Sequence, residues 1–342
     1  MANIFLRSPY NISQSQQGTG LSVILIIEVD GVEVYTLIKN KSATSDIVLF
    51  EVSELIRDYL DIKYSANGII NDADFNNIIK LTYTWYSGLN GTGTVQGTPL
   101  IVEGFGIDAY GYFPDGANPT TTRGYMQSNE TIHWVGGLSL RIPIDRNNVN
   151  QIITYIRGSE LDNFAITPST TNVFEHLEDF DEGVDEVRIL KNSVVLKSIK
   201  IVYVDACKYV PHRISFINRW GALQDLWFFR KSIQNLNVSK ESFQSSNITA
   251  TGSYDVTEHQ KKTFNVIAKE KITLNSGYVS EEYNAPMQEL LQSEKVWMEV
   301  YDVITPMTVT NSAMTFKTSL NDKLVEYKLE LDYAFDSINN IR

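Results

Sequence analysis

The carboxylates best placed to do chemistry lie in an acidic stretch, EHLEDFDEGVDE, at positions 175–186. Four of them surround Gly183: Asp179, Asp181, Glu182 and Asp185. Alternating carboxylates around a glycine can coordinate a hard cation such as Ca²⁺. The order of an EF-hand loop is not met, however, because the closing bidentate glutamate is missing at the required spacing. A solvated acidic loop or a charged patch facing a partner is therefore the favoured interpretation, and we expect no bound metal.

Histidine and cysteine, which supply many metal ligands and catalytic bases, are few and scattered in this sequence. The histidines are His133, His176, His212 and His259. No two of them stand four residues apart, as a pair of ligands on one helix face requires. Cys207 is the single cysteine, so it can form neither an intramolecular disulfide nor a cysteine-based metal site. Packed or surface histidines and a small buried thiol are the favoured interpretations.

Motifs for nucleotide binding and for hydrolysis are also missing. The segment GTGTVQG at 91–97 is not followed by Lys-Ser/Thr on a helix and does not open a βα turn, so it predicts a loop. No G-x-S-x-G nucleophile elbow occurs. A carboxylate pair for glycoside hydrolysis can come from distant strands, but no particular pair is indicated. We therefore expect no enzymatic activity and no cofactor, and keep a capsule-degrading enzyme as a weak alternative.

A loop rich in tyrosine, FGIDAYGYFPDGANPTTTRGYM, extends over 105–126. Its aromatic residues that we predict to contact a partner are Tyr110, Tyr112, Phe113 and Tyr125. Aromatic loops mediate subunit contacts in large assemblies, and this is the favoured interpretation. The same rings can stack on sugars, because tyrosine presents a rigid amphipathic face. A carbohydrate-binding module that recognises a receptor is therefore the main alternative function.

A second aromatic cluster, WGALQDLWFF at 220–229, is too apolar for the exposed surface of a monomer. Consecutive residues of a strand point to opposite faces, so Trp227, Phe228 and Phe229 require that both faces be covered. Half of these residues can fill a core and half can meet a neighbouring subunit, so the sequence predicts an oligomer interface that includes Trp220, Leu226, Trp227, Phe228 and Phe229.

Strand patterns dominate the elements that must position these residues. The apolar run at 21–29, the Asp30-Gly31 dipeptide and the alternating VEVYTLI predict a β-hairpin. Only two segments follow a helical period. VSELIRDYL at 52–60 places apolar residues at i, i+3, i+4, i+7 and i+8, with Ser53 as a possible N-cap, and a second short helix is predicted over about 286–292 after an N-cap at Ser280.

Length and composition set the number and class of domains. With 342 residues and 43% hydrophobic residues the chain can bury two or three cores. We predict an all-β fold of two or three domains in series, resembling β-sandwiches or β-barrels, with a few short helices. The expected domains are an N-terminal β domain at 1–145, a small middle β domain or insertion at 146–205, and a C-terminal β module with one short helix at 206–342.

The net charge of −12 argues against several classes of partner. Binding to nucleic acid phosphates requires clustered lysine and arginine, so we expect no direct nucleic-acid binding. No apolar run is long enough to span a bilayer, and we expect no membrane insertion. The N-terminus MANIFLRSPYN lacks the charged and apolar regions of a secretion signal.

Three stretches resemble a family of tail structural proteins from phages that infect Bacteroidota. The first comprises FLRSPYNISQSQQG, LSVILIIEVDGVEVYTLIK and FEVSELIRDYL; the second is CKYVPHRISFINRWGALQDLWFFRKS; the third is LNSGYVSEEYNAPMQELLQSEKVWM with the terminal LDYAFDSINNIR. Within the first stretch the matching residues are Arg7, Ser8, Pro9, Tyr10, Ser53, Ile56, Arg57, Asp58 and Tyr59. The three stretches cover about half of the chain, and 62–200 matches only loosely.

The resemblance implies a β-rich virion protein, similar to a distal-tail or hub ring subunit. On this basis we expect a structural subunit of the tail tip or baseplate ring, or an adaptor that holds other tail or fibre proteins. The C-terminal module would form a homo-oligomeric ring through heterologous contacts. The expected partners are other phage tail proteins, and the expected location is the virion, after synthesis in the host cytoplasm.

Overall fold

In the computed structural model, β-strands account for most of the described residues, and two short α-helices lie among them. The structure describes residues 2–15, 18–64, 70–115, 123–135, 139–177, 180–181, 183–204, 208–301, 303–311, 313–315 and 324–337. The strands form several open sheets, and the predicted all-β class is confirmed. Cys207, Asp179 and Glu182 lie outside the described residues.

The chain divides into two compact units. The first comprises Met1–Asp205, Ser215–Leu226 and Glu282–Ser293, and the second comprises Ala206–Ile214, Trp227–Glu281 and Glu294–Arg342. The predicted boundary after 205 coincides with a change of unit, whereas the predicted boundary after 145 lies inside the first unit. Two later segments of the chain return to the first unit, which a linear series of domains does not anticipate.

The first seven strands form a five-stranded sheet and a two-stranded one. They are β1 (Ala2–Phe5), β2 (Asn11–Ser15), β3 (Ser22–Val29), β4 (Val32–Asn40), β5 (Ile47–Glu51), β6 (Asn76–Tyr86) and β7 (Val95–Ile107). The larger sheet has the order β1-β7-β6-β3-β4, and β2 pairs with β5. The predicted hairpin is confirmed: Asp30 and Gly31 both have positive φ, 50° and 81°, as a two-residue turn of the primed type requires.

Alternating side chains of β3 and β6 build the core of this region. Leu25 and Ile27 on β3, and Leu81 on β6, share one cluster with Phe50 of β5 and Ile56 of the first helix. The two-stranded sheet and the helix therefore cover one face of the five-stranded sheet, as in a sandwich. Each fully buried side chain of this kind stabilises the fold by about 1.5–3 kcal/mol relative to exposure.

Seven strands follow and pair across the predicted boundary at 145. They are β8 (Thr131–Val135), β9 (Ile142–Asp145), β10 (Gln151–Ile156), β11 (Ser159–Ala165), β12 (Phe174–Leu177), β13 (Glu186–Lys191) and β14 (Val194–Val204). One sheet has the order β11-β10-β13-β14-β8, and β9 pairs with β12. Because β8 lies parallel to β14, one sheet joins residues from both sides of that boundary.

The last seven strands form a single sheet. They are β15 (His212–Ile217), β16 (Leu223–Phe228), β17 (Ile233–Gln244), β18 (Lys261–Ser280), β19 (Val296–Val300), β20 (Val303–Val309) and β21 (Leu324–Tyr333). Their order is β16-β15-β19-β20-β21-β18-β17, and β15 and β16 contribute residues to both units. Among the described residues, β17 forms one edge of the sheet and pairs with β18.

The two helices are close to the predicted positions. The first, α1, extends over Ser53–Arg57, and the second, α2, over Asn284–Gln292 after a 3-10 turn at Glu281–Tyr283. The predicted N-cap of α1 at Ser53 is wrong, because Val52 occupies the N-cap position and its side chain makes no capping hydrogen bond. Instead, the Glu51 carboxylate accepts a hydrogen bond from the backbone N–H of Ser53 at 2.9 Å. This bond satisfies one of the N–H groups at the start of the helix.

Candidate functional site

The predicted oligomer interface at 220–229 is buried within the chain itself. The exposed fractions of Trp220, Leu226, Trp227, Phe228 and Phe229 are all 9% or less. The expectation that both faces of this strand are covered is correct, but the same chain covers them. These residues are therefore not accessible to a partner in the single chain. Alternation in a strand shows that both faces are covered, but it does not show whether the same chain or a partner covers them.

The predicted partner-contact loop divides into buried and exposed residues. Tyr110 and Tyr125 are buried, Tyr112 is half-buried, and Phe113 is fully exposed at 100%. Residues 116–122 of this loop lie outside the described residues. Of the four predicted contact residues, Phe113 and Tyr112 therefore remain accessible to a partner.

Within the first unit, three arginines alternate with aromatic rings in a continuous arrangement that we name the arginine–aromatic ladder. In order, its members are Arg7, Tyr110, Tyr112, Arg219, Trp220, Arg123 and Tyr125. Four of these seven residues belong to the two aromatic groups singled out from the sequence. The ladder therefore joins two predicted sites into one.

One half of the ladder contains two tyrosines between two arginines. The Arg7 guanidinium lies 4.9 Å from the centre of the Tyr110 ring, and the Tyr110 and Tyr112 rings meet edge to face at 5.7 Å. The Arg219 guanidinium lies 4.5 Å from the centre of Tyr112. Each such cation–π contact stabilises the arrangement by about 0.5–2 kcal/mol, depending on how well it is shielded from water.

The other half of the ladder is centred on Trp220. The guanidinium groups of Arg123 and Arg219 lie 4.5 Å and 5.3 Å from the centre of a Trp220 ring. The Arg123 guanidinium also lies 6.0 Å from the centre of the Tyr125 ring. Its Nε donates to the backbone carbonyl oxygen of Tyr125 at 2.7 Å. Trp220 is thus covered by two cations, which gives a physical reason for a tryptophan at this turn.

A buried acid, Glu289 of α2, lies beside the ladder. It is 1% exposed and accepts a hydrogen bond from the Ser128 hydroxyl through Oε1, while Oε2 lacks a donor in hydrogen-bonding geometry. Burial raises the pKa of the Glu289 carboxyl to about 7, against the opposing effects of the Ser128 hydroxyl, the nearby Arg219 amide and the charges of Arg219 and Arg123. The site thus contains a carboxyl that titrates near neutrality.

The second unit carries a long hairpin whose distal part is exposed on both faces. We name residues 233–266, which comprise β17, the connecting segment and the first part of β18, the arm. Every residue of β17 is exposed. The exposed apolar residues of the arm are Ile233, Leu236, Val238, Phe243, Ile248, Tyr254, Val256, Phe264 and Val266. They lie on both faces of the ribbon, since successive strand residues alternate in direction.

A two-stranded ribbon of this kind is at best marginally stable in water without further packing. On one face, the Phe243 and Phe264 rings meet edge to face at 5.8 Å, and both are about half exposed. A bulge interrupts the pairing between Ser239 and Glu241, where Asn265 adopts a φ of 48°. Such bulges bend a strand and re-aim its side chains. The arm therefore has the composition and the exposure of an element that packs against another surface.

The histidines with described partners have structural contacts. Both ring nitrogens of His176 face oxygens, Nδ1 towards the Asp72 carboxylate and Nε2 towards the Leu223 carbonyl at 3.2 Å. His133 packs edge to face on Tyr283 at 5.1 Å, and burial lowers the pKa of its imidazole. Among the described residues, no group of three or more His, Cys, Asp or Glu side chains is arranged to hold a metal ion.

The comparisons with known proteins do not assign a family. No protein-family model matches the chain, and no curated protein sequence matches it. Among solved structures, extracellular domains 3–5 of Drosophila OTK have a TM-score of 0.18 and 7% identity, over 80% of this chain and 90% of that one. A likeness at this level carries no argument about fold or function.

Within the part of the chain that the structure describes, no α-helix has both the length and the apolar character needed to cross a bilayer.

Proposed function

We propose that this chain is a structural subunit of a bacteriophage virion, placed in the tail tip or baseplate, and that its arm packs against a neighbouring subunit. The observation that carries the assembly role is the exposure of the arm on both faces, with Leu236, Val238 and Phe243 among the exposed residues. Elements that cover a ribbon of this kind lower its free energy by removing apolar surface from water. The resemblance of the two terminal regions to phage tail proteins supports the virion assignment.

A further copy of the same chain is the partner that charge favours for the arm. The arm carries three lysines and three carboxylates, Lys240, Lys261, Lys262, Glu241, Asp255 and Glu258, so its formal charge is zero. The whole chain has a net charge of −12, so the remainder of each copy is strongly acidic. Two acidic bodies repel each other, whereas a neutral arm approaches the next copy without that repulsion. Contacts of one element with a different surface of the next copy are heterologous and generate rings when the rotation closes.

Replacing the exposed apolar residues of the arm is expected to abolish assembly while leaving the fold intact. The variant combines Leu236→Ser, Val238→Ser, Phe243→Ser and Phe264→Ser. Because all four side chains are 46–59% exposed in the single chain, their loss removes little internal packing. We expect the wild-type chain to form rings visible by electron microscopy, and the variant to have the mass of a monomer by light scattering at the same concentration.

A matched control changes exposed apolar residues outside the arm. Val194→Ser combined with Val195→Ser alters two β14 side chains that are 63% and 50% exposed. This control is expected to assemble like the wild type. Unchanged assembly of the arm variant, or equal loss in the control, contradicts a specific role for the arm.

The virion assignment has a separate test. Antibodies against the purified chain, applied to intact phage particles that encode it, are expected to label the tail in electron micrographs. A chain that is found in infected cells but is missing from purified particles contradicts the virion role, whatever the behaviour of the arm.

A further inference from the structure

An open pocket of about 390 Å³ lies at the Arg7 end of the arginine–aromatic ladder. It is lined by Arg7, Tyr110, Gly111, Tyr112, Phe113 and Gln292. All of these residues belong to the first unit. The pocket thus combines three aromatic rings, one guanidinium group and one amide, with a glycine that adds no side chain.

The rings form a corner that suits a flat, partly apolar ligand. Tyr110 and Tyr112 meet at an interplanar angle of 80°, so a ligand that stacks on one ring contacts the edge or face of the other. Phe113 is fully exposed, which leaves a large apolar ring in water when the pocket is empty. A ligand that covers Phe113 would remove that surface from water and gain the corresponding hydrophobic free energy.

The polar groups of the pocket are held in fixed orientations. The Tyr110 hydroxyl donates a hydrogen bond to Gln292 Oε1 at 2.9 Å. Because the Gln292 side-chain oxygen faces Tyr110, the Gln292 side-chain nitrogen points away from Tyr110 and can donate to a ligand. The Arg7 guanidinium donates to the backbone carbonyl oxygen of Gln292 at 3.3 Å while it stacks on the Tyr110 ring. Planar donors beside aromatic faces match the chemistry of a sugar, which offers C–H groups on one face and hydroxyls around its edge.

We infer that this pocket binds a neutral sugar ring of a glycan, stacked on Tyr112 and Phe113 and hydrogen-bonded by the Gln292 amide. A neutral sugar is favoured over an acidic one because the net charge of −12 repels anions at long range. It is favoured over an apolar peptide side chain because the pocket is open and its lining residues carry a guanidinium group, an amide and two phenol hydroxyls. The inference does not depend on assembly, since the pocket lies within one unit of a single chain.

Saturation-transfer NMR on the full chain tests the inference. The probes are the methyl glycosides of glucose, galactose, mannose, rhamnose and N-acetylglucosamine, with methyl glucuronide as the acidic comparison. We expect at least one neutral glycoside to bind with a Kd on the order of 1 mM. Phe113→Ala and Tyr112→Ala are each expected to weaken that binding about tenfold or more, which corresponds to ~1.4 kcal/mol.

Tyr278→Ala is the matched control, because it removes an aromatic ring that lies outside both the pocket and the arm and is 63% exposed. It is expected to leave sugar binding unchanged. The Phe113 variant removes a wholly exposed ring, so loss of folding cannot explain its result. Absence of binding for every neutral glycoside, binding of the glucuronide alone, or binding that survives both pocket substitutions overturns the inference without touching the assembly proposal.

Discussion

Asp225→Ala is expected to destabilise the chain by ~3–5 kcal/mol, because it removes one partner of a buried ion pair with Arg141. Arg141 donates to both Asp225 oxygens, from Nε at 2.7 Å and from Nη2 at 2.9 Å. The two side chains are only 3% and 7% exposed. The Ser215 hydroxyl donates to the same carboxylate at 2.7 Å, and Arg141 also donates to the Tyr64 hydroxyl. Removal of the carboxylate therefore disrupts a connected buried network.

Urea unfolding followed by tryptophan fluorescence measures this loss. The matched control is Asp46→Ala, which breaks the pair between Lys41 and an Asp46 side chain that is 75% exposed. Asp46→Ala is expected to lower the free energy of unfolding by less than about 1 kcal/mol. The double variant Arg141→Met with Asp225→Leu removes both charges and is expected to be more stable than Asp225→Ala. Equal effects of Asp225→Ala and Asp46→Ala would show that burial does not strengthen this pair.

Glu289→Gln is expected to stabilise the chain at neutral and higher pH. The pKa of the Glu289 carboxyl is raised from 4.5 to about 7, mainly by burial. Between these values the folded chain retains a proton that the unfolded chain has released, so the stability of the wild type falls as the pH rises through this interval. Glutamine stays neutral at every pH and avoids the loss. Above pH 7 the variant should therefore be more stable by on the order of 3 kcal/mol.

Unfolding free energies measured from pH 4 to pH 8 test this expectation. The wild type and Glu289→Gln should have similar unfolding free energies near pH 4, and the difference between these free energies should grow as the pH rises. Glu282→Gln, which changes an exposed carboxyl in the turn before α2, is the matched control and should follow the wild-type profile. A constant difference between wild type and Glu289→Gln across this range would show that titration of Glu289 does not control stability.

Local patterns were sufficient to predict most of the secondary structure. The Asp30-Gly31 dipeptide predicts its hairpin because few residue pairs accept two positive φ values, and the structure has both. The second helix was predicted over about 286–292 and extends over Asn284–Gln292. These signals depend on neighbours in the sequence and not on the rest of the fold.

Features that depend on distant contacts were not predictable in the same way. The ladder joins Arg7, Tyr110 and Arg219, which are separated by about a hundred residues at each step. A strand pattern also gives no sign of what covers it. The sequence therefore suggested an exposed surface at 220–229, which is buried, and gave no warning that the alternating arm is exposed on both faces.

Hydrogen–deuterium exchange of the arm amides tests the central claim most directly. It compares the assembled wild-type chain with the arm variant that carries serine at positions 236, 238, 243 and 264. If the arm packs against a neighbouring copy, amides of 233–266 will exchange far more slowly in the assembly than in the variant, while those of the five-stranded sheet will be similar in both. Equally fast exchange of the arm in assembled and unassembled protein would contradict the account.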